Sequence, residues 1–147
     1  MPETIAIASD HGGYALKQEL IKVVEAEGRQ VVDLGPHSEE AVDYPDYGYA
    51  MAHALKDGTA NRGVLLCGSG IGISIAANRF PHVRAALVHD ALTASLARLH
   101  NQANVLCMGG RTTGVDVAKD CLKIFLNTEP EDAERHERRV KKLTNPA

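Results

Sequence analysis

Tryptophan is absent from this 147-residue chain, which holds only two phenylalanines and four tyrosines. So few rings disfavour stacking on bases or sugar faces as the main mode of recognition. An excess of positive charge is also lacking: 16 basic residues face 19 acidic ones, for a net charge of −3 and a pI near 6.1. That balance argues against general nucleic-acid binding, which needs a cationic surface. No apolar run approaches the roughly 20 residues that a bilayer-crossing helix requires, so no membrane partner is expected. The start, Met1-Pro2-Glu3-Thr4, carries an acid and runs straight into a short apolar stretch, unlike a secretory leader. Three cysteines without paired spacing read as reduced thiols of a cytoplasmic protein, not as a disulfide framework. His37, His53, His82 and His89 are scattered without zinc-like spacing, so no metal and no cofactor is expected. Internal repeats, low-complexity tracts and linkers are missing too, and the length suits one domain over residues 1–147.

What is present is an alternation of short apolar runs with longer amphipathic ones. Ile5–Ala8, Val31-Val32 ahead of Gly35-Pro36, Val64–Cys67, Arg84–Val88 and Val105–Met108 predict five strands. Leu16, Leu20, Val23 and Val24 recur at helical spacing, and Gly28 is positioned to end that helix. Tyr47–Lys56 behind Pro45, Ile71–Arg79 ahead of Pro81, and Val115–Leu126 predict three more helices. Asp90 is an expected N-cap for a helix in which Leu92, Leu96 and Leu99 share a face. Thr128 and Glu131 fit a capping box for a last helix over about 129–143. Its apolar stripe is narrow (Ala133, Val140, Leu143), so it is expected to dock on a neighbouring subunit. Alternating β and α segments imply an α/β fold: a single-domain three-layer α/β/α sandwich around a five-stranded parallel sheet, Rossmann-like in outline. In such sheets ligands sit beyond the carboxyl ends of the strands, where the strand order switches.

Each strand end has a chemical and a structural reading. Asp10-His11-Gly12-Gly13 after the first strand sets a carboxylate beside an imidazole, or else gives a helix cap and a solvated histidine. Cys67-Gly68-Ser69-Gly70-Ile71-Gly72 after the third sets a thiol ahead of a ring of small residues. Main-chain N–H groups in such a turn can converge on an anion and favour a thiolate; a buried strand-end Cys can equally be packing. The glycines run G-x-G-x-G, not G-x-G-x-x-G, and no G-K-[ST] is present, so neither a dinucleotide fingerprint nor a P-loop is met. His100 and Asn101 end a helix, where Asn101 alone would make a left-handed C-cap. Arg111 follows Gly109-Gly110 and suits a phosphate or a carboxylate. Arg135 and Arg139, four apart on the last helix, can chelate a phosphate or simply pair with Glu131 and Glu134. Cys107 and Cys121 read as structural.

Taken together, Ile7 to Gly13, Asp43 to Tyr47, Cys67 to Asn78, His100-Asn101 through Leu106, Gly109 to Arg111, and Arg135-His136 with Arg139 resemble the ribose/galactose isomerase family over nearly the whole chain. The resemblance implies aldose–ketose isomerisation of a sugar phosphate without a metal, with ribose 5-phosphate and ribulose 5-phosphate as the expected pair. It makes Cys67 the base that moves a proton between C1 and C2 through a cis-enediolate. One branch of the family uses a Glu shortly after; Ile73 stands there in this chain, so the resemblance is to the cysteine users. It further implies that Gly68, Ser69, Gly70, Ile71 and Gly72 stabilise the enediolate oxygen through their amides. His100 with Asp10 would open the sugar ring, Asn101 would hold hydroxyls, and His11, Arg111, Arg135 and Arg139 would surround the phosphate. A homo-oligomer with sites shared between subunits is implied as well. Isomerases of allose, galactose or tetrose phosphates, and a non-catalytic phosphate- or nucleotide-binding module, are the alternatives.

Overall fold

The computed structural model describes residues 2–146. Five strands, β1 (Thr4–Ser9), β2 (Gln30–Gly35), β3 (Arg62–Cys67), β4 (Ala85–Leu87) and β5 (Val105–Gly109), form one parallel sheet in the order β2-β1-β3-β5-β4. Six helices join or follow them: α1 (Tyr14–Ala26), α2 (Tyr44–Lys56), α3 (Ile71–Ala77), α4 (Ala91–Asn101), α5 (Val115–Asn127) and α6 (Glu134–Thr144). None of these helices is long and apolar enough to cross a membrane.

Side chains alternate along each strand, so the sheet feeds two cores. Ile5, Ile7, Val64, Leu66, Leu106 and Met108 point to one face and meet Leu16, Leu20, Val24, Ala94, Leu122 and Phe125 of α1, α4 and α5. Ala6, Ala8, Leu65, Cys67, Val105 and Cys107 point to the other and meet Met51, Ala52, Ile73 and Ala77 of α2 and α3. The three-layer α/β/α expectation is met. All three cysteines are free and buried.

In α4 the buried face is made by Ala94 and Ala97, whereas Leu92 is 67% exposed and Leu96 and Leu99 are half-buried. Three local expectations are corrected. The last helix begins at Glu134 with Ala133 as its N-cap, so no capping box forms from Thr128 and Glu131; Thr128 instead ends α5 in extended conformation. The left-handed residue after α4 is Gln102 (φ 47°), and Asn101 is still helical. Helix α2 starts at Tyr44, with Pro45 inside its first turn, where a missing N–H costs nothing. The Asp90 cap forms as expected, its side chain accepting from Thr93 N–H at 2.7 Å.

Candidate active site

Strand order builds the site. The chain leaves β1 towards β2 on one side and returns to β3 on the other, so the loops after β1 and β3 open side by side. Strand β5 is inserted between β3 and β4, which sets Gly109 opposite Cys67. The Gly110 N–H then donates to the Cys67 carbonyl at 2.8 Å and the Arg111 N–H to the Gly68 carbonyl at 2.9 Å. With the Asp10 N–H donating to the Leu66 carbonyl at 3.1 Å, three segments distant in sequence are stitched together at the carboxyl end of the sheet.

Cys67 lies on the face packed by α3, and its sulfur accepts the Gly70 N–H at 3.0 Å. Gly70 reaches this position with φ +79°, and a Cβ there would meet Leu87 Cδ1 at 2.7 Å and the Met108 carbonyl carbon at 2.8 Å. Asp10, 7% exposed, turns the chain by accepting the Gly13 N–H at 3.2 Å. The cap reading of Asp10 is met, and the residue also lines an open groove of about 580 Å³ with Cys67 and Arg111. Gly68, Ser69, Ile71 and Gly72 line the same groove. His11 is not among the residues that line it, and its Nδ1 accepts the Val42 N–H at 3.2 Å. Burial, and then the neighbouring Cys67, push the Cys107 thiol up, so Cys107 remains a neutral packing group.

Tyr44, Ile75 and Thr112 line the groove although sequence reasoning did not select them. The available signal was the i, i+4 pair Ile71 and Ile75, exposed at 52% and 54% on a helix whose other apolar side chains are buried.

The remaining candidates lie elsewhere. Helix α4 runs antiparallel to the strands, so His100 and Asn101 at its end fall at the amino end of the sheet. There the neighbouring Asn104 carbonyl accepts the Gly63 N–H at 2.9 Å. Gly63 and Cys67 are four residues apart on one strand, about 13 Å at some 3.3 Å per residue. Helix α6 packs on α4, which carries Arg135 and Arg139 to the same side. Arg135 pairs with Glu131 at 3.7 Å, as the structural reading has it, whereas Glu134 pairs with Arg138 at 2.6 Å and Arg139 is exposed. His100 stacks on His136, and burial followed by the charges of Arg135 and His100 holds the His136 imidazole below its ordinary range. Within one chain, then, the candidates divide into a thiol half and a histidine–arginine half.

The comparisons with known proteins agree with this architecture. A ribose-5-phosphate isomerase B from Escherichia coli is 40% identical over 140 residues, covering 95% of this chain and 93% of that protein. A D-erythrulose-4-phosphate isomerase from Pectobacterium atrosepticum is 40% identical over 128 residues, covering 86% and 84%. The solved structure of Trypanosoma brucei type B ribose 5-phosphate isomerase superposes with a TM-score of 0.96 at 44% identity, over 100% of both chains. The family model described as Ribose/Galactose Isomerase matches residues 5–143, and the chain belongs to that family.

Proposed function

We propose that the chain is a sugar-phosphate aldose–ketose isomerase, one domain over its whole length, that interconverts ribose 5-phosphate and ribulose 5-phosphate through a cis-enediolate. The observation that carries this reading is the Cys67 sulfur, held by the Gly70 N–H at the mouth of a groove it shares with Asp10 and Arg111. The thiolate is the nucleophilic and basic form of a cysteine side chain.

The chemistry follows from those groups. The thiolate takes the proton from C2 of the open-chain aldose, and the electron pair moves through C1 onto O1. The hydroxyl proton on O2 passes to O1, and the Cys67 thiol returns its proton to C1, leaving the ketose. Amides of the 68–72 turn meet the charge on the enediolate oxygen, where pre-aimed donors lower the barrier most. Asp10 and His100 open the ring by proton transfer to and from the ring oxygen and the anomeric hydroxyl. Asn101 holds sugar hydroxyls, and His11, Arg111, Arg135 and Arg139 hold the phosphate. Because His100, Asn101, Arg135 and Arg139 stand at the other end of the chain's own sheet, they serve the thiol half of a second copy. The exposed Leu92 and Leu143 suit burial at such an interface.

A second reading has a specific support: the erythrulose-phosphate relative is as similar as the ribose-phosphate one, so a tetrose phosphate is the competing substrate. Comparing kcat/KM for ribose, allose, galactose and erythrose phosphates separates them, with ribose 5-phosphate expected highest. Cys67→Ala tests the mechanism. Removing the acid–base group should lower kcat by at least about a hundredfold with little change in ligand affinity. Unchanged turnover would remove Cys67 from the chemistry, and absence of turnover in the parent would favour a binding module.

A further inference from the structure

The amino end of the sheet carries a second convergence of polar side chains, which the isomerase reading uses only in part. His100 stands in the last turn of α4, Glu131 lies between α5 and α6, and His136 stands in the first turn of α6. Glu131 is tied to the end of α4 by its own N–H, which donates to the Leu99 carbonyl at 3.1 Å. The two imidazoles lie face to face, with centroids 4.3 Å apart and planes 13° from parallel. Both converge on one carboxylate oxygen: Glu131 Oε2 is 3.5 Å from His100 Nε2 and 3.6 Å from His136 Nε2. One ligand atom from each residue lies within 4.8 Å of the other two. His136 is 6% exposed, and its Nε2 is buried without a hydrogen-bond partner. A buried polar nitrogen in that state is costly, and a group bound in front of it would relieve the cost.

We infer that His100, Glu131 and His136 form a binding site for a borderline transition-metal cation such as Zn²⁺, and that its occupancy withdraws His100 and inhibits the isomerase. Two imidazoles and a carboxylate are a donor set that zinc takes readily, leaving a fourth position for water. Tetrahedral ligands at about 2.0–2.1 Å from zinc sit about 3.3 Å apart. The two N···O edges, 3.5 and 3.6 Å, therefore need to close by only a few tenths of an ångström. The remaining edge closes by rotation of the His100 side chain, which at 40% exposure also leaves the ion a way in. Magnesium and calcium prefer all-oxygen shells and are poorly served by two nitrogens. Arg135, 3.7 Å from the other Glu131 oxygen, opposes the cation's charge and keeps the affinity moderate. The ion takes no part in the proton transfers.

The site stands on geometry alone; the inhibition rests on the ring-opening role proposed for His100. The full chain, freed of metal by a chelator, is titrated calorimetrically with Zn²⁺ and spectroscopically with Co²⁺. Cobalt separates this site from the cysteines, because histidine and carboxylate ligands give no intense thiolate-to-metal charge-transfer band. One ion per chain is expected, with affinity lowered at least about tenfold in both His136→Ala and Glu131→Gln. Zn²⁺ should also suppress turnover, and His136→Ala should tolerate at least about tenfold more metal, each protein being referred to its own metal-free rate. Equal binding by parent and variants, or a thiolate band on the cobalt protein, overturns the site. Binding without loss of activity overturns the inhibition. A metal-free parent with no isomerase activity would instead refute the proposed function, and the titration would still decide the site.

Discussion

Gly70 combines φ +79°, an N–H directed at the Cys67 sulfur, and a Cβ direction blocked by Leu87 and the Met108 main chain. Gly28 shares the same φ of +79° but has nothing within 4 Å of where its Cβ would stand. The pair therefore separates backbone strain from displacement of the turn. Gly28→Ala should cost about 1–2 kcal/mol from the left-handed backbone alone and leave kcat unchanged. Gly70→Ala should cost more than Gly28→Ala, because the turn must shift as well. It should also lower kcat at least about tenfold, as loss of one aimed donor does elsewhere. Chemical denaturation alongside steady-state rates on both variants checks this. Equal kcat in the two would mean that the Gly70 N–H does nothing for the thiol.

Among the elements, the end of α5 shows how a helix terminus is held by charge. Its last carbonyls have no partner within the helix. Arg62, buried in the first position of β3, donates to the Phe125 carbonyl at 2.7 Å and the Leu126 carbonyl at 3.0 Å. The same guanidinium grips both oxygens of Glu3 at 2.6 and 2.7 Å, and Arg29 adds a bond to Glu3 at 3.1 Å. Burial alone would raise the Glu3 carboxyl, but the hydrogen bonds and charge of Arg62, then of Arg29, outweigh it and hold the group below its ordinary 4.5. A carboxyl with a lowered folded-state pKa stabilises fully above its unfolded value and loses that stability as pH falls through the folded one. The urea midpoint should therefore decline from about pH 5 downward, and Arg62→Met should flatten that decline. The substitution should also cost about 3 kcal/mol at neutral pH, since it leaves Glu3 without its main partner. An unchanged acid profile in Arg62→Met would contradict the assignment.

The same scale explains what could be read in advance. The five strands and five of the six helices follow from apolar runs and helical spacing, which are local properties. The order β2-β1-β3-β5-β4 does not, because it depends on which crossover carries β5 between β3 and β4. In α4, spacing sets Leu92, Leu96 and Leu99 on one face without saying what covers it. Small Ala94 and Ala97 enter the core cluster with Ala118 and Phe125, while Leu92 is exposed and Leu96 and Leu99 are half-buried. The start of α6 was misjudged because the Glu131 main chain is engaged with Leu99 and is unavailable to open a helix.

For the whole molecule, the resemblance named the site residues, yet one chain does not unite them. The thiol half is contiguous because Cys67, Asp10 and Arg111 follow three adjacent strands, which the rule about strand ends anticipates. The His100 half follows a helix that has run back to the opposite end, and no local pattern reports where a second copy would bring it. If two copies exchange these halves about a two-fold axis, each site takes Cys67 from one subunit and His100 from its partner. Cys67→Ala and His100→Asn should then be inactive apart but active when unfolded together and refolded as a mixture. Half of the dimers would be mixed, and each would hold one site built from two unaltered halves. The mixture should recover about a quarter of the parent activity per chain. Recovery requires the halves to come from different chains, since a site made within one chain carries a lesion in every subunit. Absence of recovery, with mixed dimers demonstrated by mass spectrometry, would place the whole reaction within one chain and force a rearrangement of α4 and α6 that the present packing does not allow.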